Sequence, residues 1–125
     1  MNTLMIVALT ILGEARGEGS GGMYRVACVI QQRETNRGLS AKKVCLQRRQ
    51  FSCWNKAAPS RALLNTDQGK YALKLAALIV AGKDLNRGII SNADHYCTLR
   101  TRPKWAKGQK AVAVYGNHKF YKLKK

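Results

Sequence analysis

Six acidic side chains occur in the 125 residues: Glu14, Glu18, Glu34, Asp67, Asp84 and Asp94. Carboxyl chemistry therefore has few carriers. Glu34 and Asp84 stand at expected helix ends and read as solvated. Asp67 fits the first turn of a helix, where the dipole favours a negative group for structural reasons. Glu14 differs from these. It follows a largely apolar run and lies among Gly13, Gly17, Gly19, Gly21 and Gly22, which places its carboxyl at the margin of a core. A general acid needs a pKa raised from about 4.3 toward 6. The net charge of +17 opposes that shift. Yet one positive charge about 10 Å away in water contributes only roughly 0.3 pKa unit, whereas burial can move a carboxyl by about 3–5 units. Local burial wins, and Glu14 is the first choice for a general acid.

Glu18 is the secondary catalytic candidate. Four residues beyond Glu14, it would share a face with it on an unbroken helix, and mutual repulsion would raise one apparent pKa of the pair. The glycines leave that continuity open, so a structural or substrate-orienting role competes with a catalytic one. His95, between Asp94 and Tyr96, and His118, beside Asn117, could orient groups in a cleft or serve as ordinary hydrogen-bonded residues. Neither has a Ser or Cys nucleophile defined by sequence, so triad chemistry is unsupported. Trp54, Tyr96, Trp105, Phe120 and Tyr121 offer rings for stacking on sugars or nucleobases, with Trp54-Asn55 and Trp105 the better surface positions. Cys28, Cys45, Cys53 and Cys97 include no Cys-x-x-Cys pair. A zinc site is therefore not expected, although His95-x-Cys97 with Cys45 and Cys53 contains ligand types. Free thiols fit a reducing compartment, and a Cys45–Cys53 bridge fits an oxidising one. Nothing calls for a cofactor.

These side chains need elements to hold them. Thr3 to Ala15 is mostly apolar on every face, as in a buried helix with Glu14 near its end. The glycines then predict a flexible loop. Met23, Val26, Ala27, Ile30 and Arg33 recur at helical spacing, giving a second helix from about Gly22 to Glu34, stopped by Asn36-Arg37-Gly38. Leu39 to Arg49 holds a short helix under Val44 and Leu46. From Thr66 a further helix carries Tyr71, Leu75, Leu78 and Ile79 on one face, with Asn65 or Thr66 capping its start and Gly82 its end. Ala111 to Tyr115 and His118 to Leu123 flank Gly116-Asn117, a two-residue hairpin turn. The fold class is α+β, mainly helical, with a small antiparallel β element. At this length, a single domain over residues 1–125 buries roughly two thirds of the surface its unfolded chain exposes.

Composition bears on partners more than on chemistry. Twenty-three Lys and Arg against six Asp and Glu set the charge, and nine basic residues with no acidic one fall between Thr98 and Lys125. Such a surface attracts nucleic acid, anionic lipid headgroups or an anionic wall. Hydrophobic residues at 46% argue against intrinsic disorder. Met1 to Leu12 lacks the basic start and the small-x-small site of a secretion signal, and its apolar run is too short to span a bilayer. The expectation is a protein that starts in the cytoplasm and needs another agent to leave it.

The chain resembles the spore-cortex-lytic type of cell wall hydrolase. The resemblance rests on Gly-Glu-Ala-Arg-Gly-Glu at 13–18, the helix Val26 to Arg33, and Gln50-Phe51-Ser52-Cys53-Trp54-Asn55. Ala93-Asp94-His95-Tyr96, Pro103-Lys104-Trp105-Ala106-Lys107-Gly108 and Gly116-Asn117-His118-Lys119-Phe120-Tyr121 follow in the family's order, covering nearly the whole chain. The pattern departs at Cys97, where another His is expected. The resemblance implies a lysozyme-like or resuscitation-factor-like catalytic domain with Glu14 as its acid and no separate wall-binding domain. Trp54, Asn55, His95, Tyr96, Trp105, His118 and Tyr121 would line the glycan groove. It also implies a monomeric enzyme acting on peptidoglycan glycan strands without obligatory nucleic acid, similar to a phage endolysin working in the periplasm or wall.

Within that chemistry, a hydrolase needs a second carboxylate about 5–5.5 Å away for retention or about 6.5–9.5 Å for inversion. A lytic transglycosylase needs one carboxyl, because the muramic acid 6-hydroxyl closes on its own anomeric carbon. The scarcity of acidic residues favours the transglycosylase over a lysozyme-type hydrolase. The competing classes are a basic nucleic-acid-binding module and a membrane-active cationic domain, and neither would depend on Glu14.

Overall fold

The computed structural model describes residues 1–47, 50–54 and 59–123. Helix α1 (Thr3–Ala15) starts where the Asn2 carboxamide accepts a hydrogen bond from the Met5 amide at 2.9 Å. Every residue from Ile6 to Leu12 is buried, because α1 is enclosed by three further helices. Each fully buried aliphatic side chain there stabilises the fold by about 1.5–3 kcal/mol.

The glycine-rich segment is not a flexible loop. It forms one 3-10 turn (Arg16–Glu18) and then opens helix α2 (Gly19–Arg37), which starts three residues earlier and ends three later than expected. Glycine disfavours helix by up to about 1 kcal/mol per residue relative to alanine, but packing of α2 along α1 overrides that preference. The helical path does break between the two glutamates, with Ala15 at φ −140°. Glu14 and Glu18 therefore do not sit on one continuous helix.

Gly38 ends α2 in the left-handed conformation, and α3 (Ala41–Leu46) follows with Ser40 as its cap. Val44 is buried as expected, but Cys45 is its buried neighbour and Leu46 is 44% exposed. Helix α4 (Asp67–Val80) is capped by Thr66, whose hydroxyl accepts from the Gly69 amide at 3.0 Å. At its other end the Gly82 amide donates to Ile79 and the Lys83 amide to Leu78, a paired closure that uses the orphan carbonyls.

Three short strands complete the domain: β1 (His95–Thr98), β2 (Ala113–Tyr115) and β3 (His118–Tyr121), in the order β1-β3-β2, all antiparallel. The β2–β3 hairpin turns at Gly116-Asn117, with Tyr115 opposite His118 and Gly116 at φ 55°. That is the position where a two-residue hairpin favours glycine. The pairing of β1 with β3 is the element the sequence did not announce. It sets His95 opposite Tyr121, Tyr96 opposite Phe120, Cys97 opposite Lys119 and Thr98 opposite His118. Because strand side chains alternate, Tyr96, Thr98, His118 and Phe120 share one face, and His95, Cys97, Lys119 and Tyr121 share the other. Phe120 is fully buried in the helical core, so the first set faces the helices.

Candidate active site

Glu14 sits in the last turn of α1, half-buried, with an acceptor role at each oxygen. The Cys53 amide donates to its Oε2 at 3.1 Å, and the Tyr96 hydroxyl donates to its Oε1 at 2.5 Å. The first contact depends on a close approach: a Cβ at Gly13 would lie 2.6 Å from Cys53 Cβ. Only glycine lets the 3-10 turn Ser52–Trp54 come this near to α1. Trp54 fastens the same turn by donating its indole N–H to Thr10 Oγ1 at 2.8 Å, while Thr10 donates to the Ile6 carbonyl at 2.7 Å. Trp54 thus packs against the core and helps hold Cys53 against Glu14.

Tyr96 reaches Glu14 from the helix-facing side of β1. Burial, and then the negative charge of Glu14, hold its phenol well above the ordinary tyrosine range, so it stays a donor. Burial, then the charge of Glu14 and hydrogen bonding to it, push the Cys53 thiol upward. Beyond Tyr96 the line continues. Its ring meets His118 edge-on at 5.1 Å between centroids, and His118 Nδ1 lies 3.9 Å from Glu18 Oε1. His118 is only 6% exposed and its Nδ1 has no hydrogen-bond partner among the described residues. Glu18 accepts from the Asn117 amide at 3.2 Å and 3.4 Å through its two oxygens, pinning the hairpin turn to the start of α2.

The helix-facing side therefore assembles Glu14, Tyr96, His118 and Glu18. His95, Trp105 and Tyr121 lie on the other side of the sheet. Trp105, in the 3-10 turn Lys104–Ala106, lies 4.9 Å from the His95 ring and 5.2 Å, edge-on, from Tyr121. His95 Nδ1 pairs with Asp94 Oδ1 at 3.1 Å. Burial lowers the His95 pKa despite that bond. In Asp94 burial acts upward, but bonds from His95, the Leu123 amide and Asn36 together leave it below its ordinary value. Asn55 lies outside the described residues.

Several supports carry no catalytic signature in the sequence. The amides of Cys53 and Asn117 act through backbone, which any residue supplies. Arg33 had a signal, a charge on the apolar stripe of α2. It is 3% exposed, donates its Nε–H to the Asp94 carbonyl at 2.7 Å, and lies over the Phe51 ring. Burial, then Arg37, lowers its pKa to about 10. It fastens the start of β1, and so the approach of Tyr96. All four thiols are free. Cys45 is buried, and desolvation pushes it up to about 12.

Residues 17–121 match the cell wall hydrolase family; the match begins three residues after Glu14. No curated protein matches the chain in sequence. Two solved structures share the fold. The catalytic domain of the germination-specific lytic transglycosylase SleB from Bacillus anthracis superposes with a TM-score of 0.70 at 24% identity, covering 98% of this chain and 95% of that one. The catalytic domain of the Bacillus cereus SleB protein gives 0.69 at 24% identity, over 96% and 89%. The mainly helical α+β architecture with its small antiparallel sheet is that of these domains, and the chain belongs to the cell wall hydrolase family of enzymes.

Proposed function

We propose that the protein cleaves peptidoglycan glycan strands between N-acetylmuramic acid and N-acetylglucosamine as a lytic transglycosylase, with Glu14 as its acid. In this reaction Glu14 gives its proton to the bridging oxygen as the bond to the muramic acid C1 breaks. The 6-hydroxyl of the same sugar then bonds to C1 and returns its proton to Glu14, leaving a 1,6-anhydro end. Tyr96 and the Cys53 amide orient the carboxyl throughout. The observation carrying this reading is the division of labour between two glutamates: Glu14 lies at the end of α1 between Tyr96 and Cys53, while Glu18 is engaged with the Asn117 amide. A second reading, lysozyme-type hydrolysis with Glu18 assisting a water, draws on the line that joins Glu18 to Glu14 through His118 and Tyr96.

Mass spectrometry of purified walls digested by the wild type and by Glu14→Gln separates these readings. The proposal expects 1,6-anhydromuramic ends from the wild type and none from the variant. Reducing muramic acid ends alone would establish hydrolysis instead. Full activity in the variant would remove Glu14 from the mechanism. The wider role we infer is that of a phage endolysin, a monomer made in the host cytoplasm that reaches the wall after a partner opens the membrane. The net charge of +17, suited to an anionic wall, supports that role. Expression in a host should lyse cells only when the membrane is permeabilised separately.

A further inference from the structure

The side of the sheet away from Glu14 carries a cleft of about 500 Å³ whose lining includes Arg102, Lys104, Lys107, Lys119 and Tyr121. Four cations line it, and no acidic residue does among the described residues. The nearby carboxylate of Asp94 is occupied by His95, Asn36 and the Leu123 amide. Lys119 and Tyr121 are placed by the pairing of β3 with β1, and Tyr121 is held edge-on against Trp105 at 5.2 Å. With Tyr121 buried at its floor, the cleft offers cations around its rim, which fits a chain of phosphates carried on a slender uncharged skeleton, each phosphate meeting lysine or arginine. A concave cleft suits a chain segment better than the plane of a lipid surface.

We infer that this cleft binds a phosphodiester-linked polyol chain of the cell envelope, anchoring the enzyme beside its glycan while Glu14 works on the opposite side of the sheet. The inference rests on the wall-enzyme reading above. Its test does not need catalysis, because a poly(glycerol phosphate) oligomer contains no glycosidic bond. Binding of a fluorescent oligomer to the full chain should weaken as salt rises from about 0.05 M to about 0.15 M. In Lys104→Gln/Lys107→Gln it should weaken by about tenfold, the combined size of two solvent-accessible ion pairs. Removing the same charge elsewhere, as Lys70→Gln/Lys74→Gln on the exposed side of α4, should change it by less than about twofold.

Glu14→Gln should bind the oligomer as tightly as the wild type. If that variant stayed fully lytic while binding behaved as expected, the catalytic reading would fail and the anion site would stand. Equal losses in the two lysine pairs would reduce the effect to overall charge and overturn the site. Absence of binding would overturn it too. So would tighter capture, through the same two lysines, of a phosphate-matched oligonucleotide or of phosphatidylglycerol vesicles.

Discussion

The two faces of the three-stranded sheet are built from the same few residues of chain and do different physical work. The helix-facing side is short of charge and rich in committed hydrogen bonds: Glu14 with Tyr96 and Cys53, and Glu18 with Asn117. The outer side has cations in surplus around Trp105 and Tyr121, with its one adjacent carboxylate already satisfied. The sheet thus separates the four cations of the outer cleft from the carboxyl site. The difference teaches that a cluster of cations and a hydrogen-bonded carboxyl can occupy opposite faces of one small sheet.

The sharpest way to break that comparison is Glu14→Gln, assayed on soluble glycan fragments. Turnover should fall by about 10²–10⁴-fold, the range for losing a general acid, with the melting temperature nearly unchanged. Trp105→Ala, on the outer side, should leave turnover of the same fragments within a few-fold; a loss matching that of Glu14→Gln would show that both faces serve one groove. Tyr96→Phe comes next. Deleting a hydrogen bond to a charged group costs about 1.5–3 kcal/mol, so kcat should drop by roughly 10–150-fold with KM little moved. A pure KM effect would assign Tyr96 to substrate contact instead.

Salt sharpens the comparison at smaller amplitude. Lysis of whole walls should slow several-fold as ionic strength passes about 0.15 M, where charges separated by more than about 8 Å are screened, while fragment turnover changes little. A rate on whole walls that ignored salt would make the outer charge incidental. The smallest effect is in stability. His95 has a lowered pKa in the folded state, so the unfolded chain binds the extra proton first. Stability is then full above the unfolded value of about 6.5 and declines as pH falls through that value toward the folded one. Asp94, with its depressed pKa, extends the loss further, below about 4. Melting curves between pH 8 and pH 4, taken as about 1-unit steps, should show a shallow fall that starts near neutrality and is flatter in His95→Asn.

Much of the scaffold was readable in the sequence because its signals are periodic or local. A mostly apolar run marked α1 from Thr3 to Ala15, and Gly116-Asn117 marked the hairpin. What failed had no local signal. The glycine-rich segment reads as a loop by propensity, yet α2 begins inside it because tertiary packing outweighs a cost of about 1 kcal/mol per glycine. Strand β1 is four residues long and lies in a stretch that reads as a polar-aromatic cluster, so its pairing with β3 was invisible. That omission matters most for the site. Without β1, His95 and Tyr96 look like neighbours on one groove; with it, they point to opposite sides. The position of Glu14 in the last turn of an apolar helix was legible from the run that precedes it. Its partners were less so, being a backbone amide and a tyrosine 82 residues away.

Strand β3 carries the contributions to the two faces on alternate residues, His118 and Phe120 inward, Lys119 and Tyr121 outward. The two roles are thus interleaved on one stretch of chain and separated by parity alone. Substitution at even positions can retune one side without touching the other, which leaves them free to drift independently. A single-residue insertion or deletion after Asn117 has no such freedom: it would exchange the sides, driving Lys119 toward the core and His118 into solvent. In this segment the length of the chain is under tighter constraint than the identity of most of its residues.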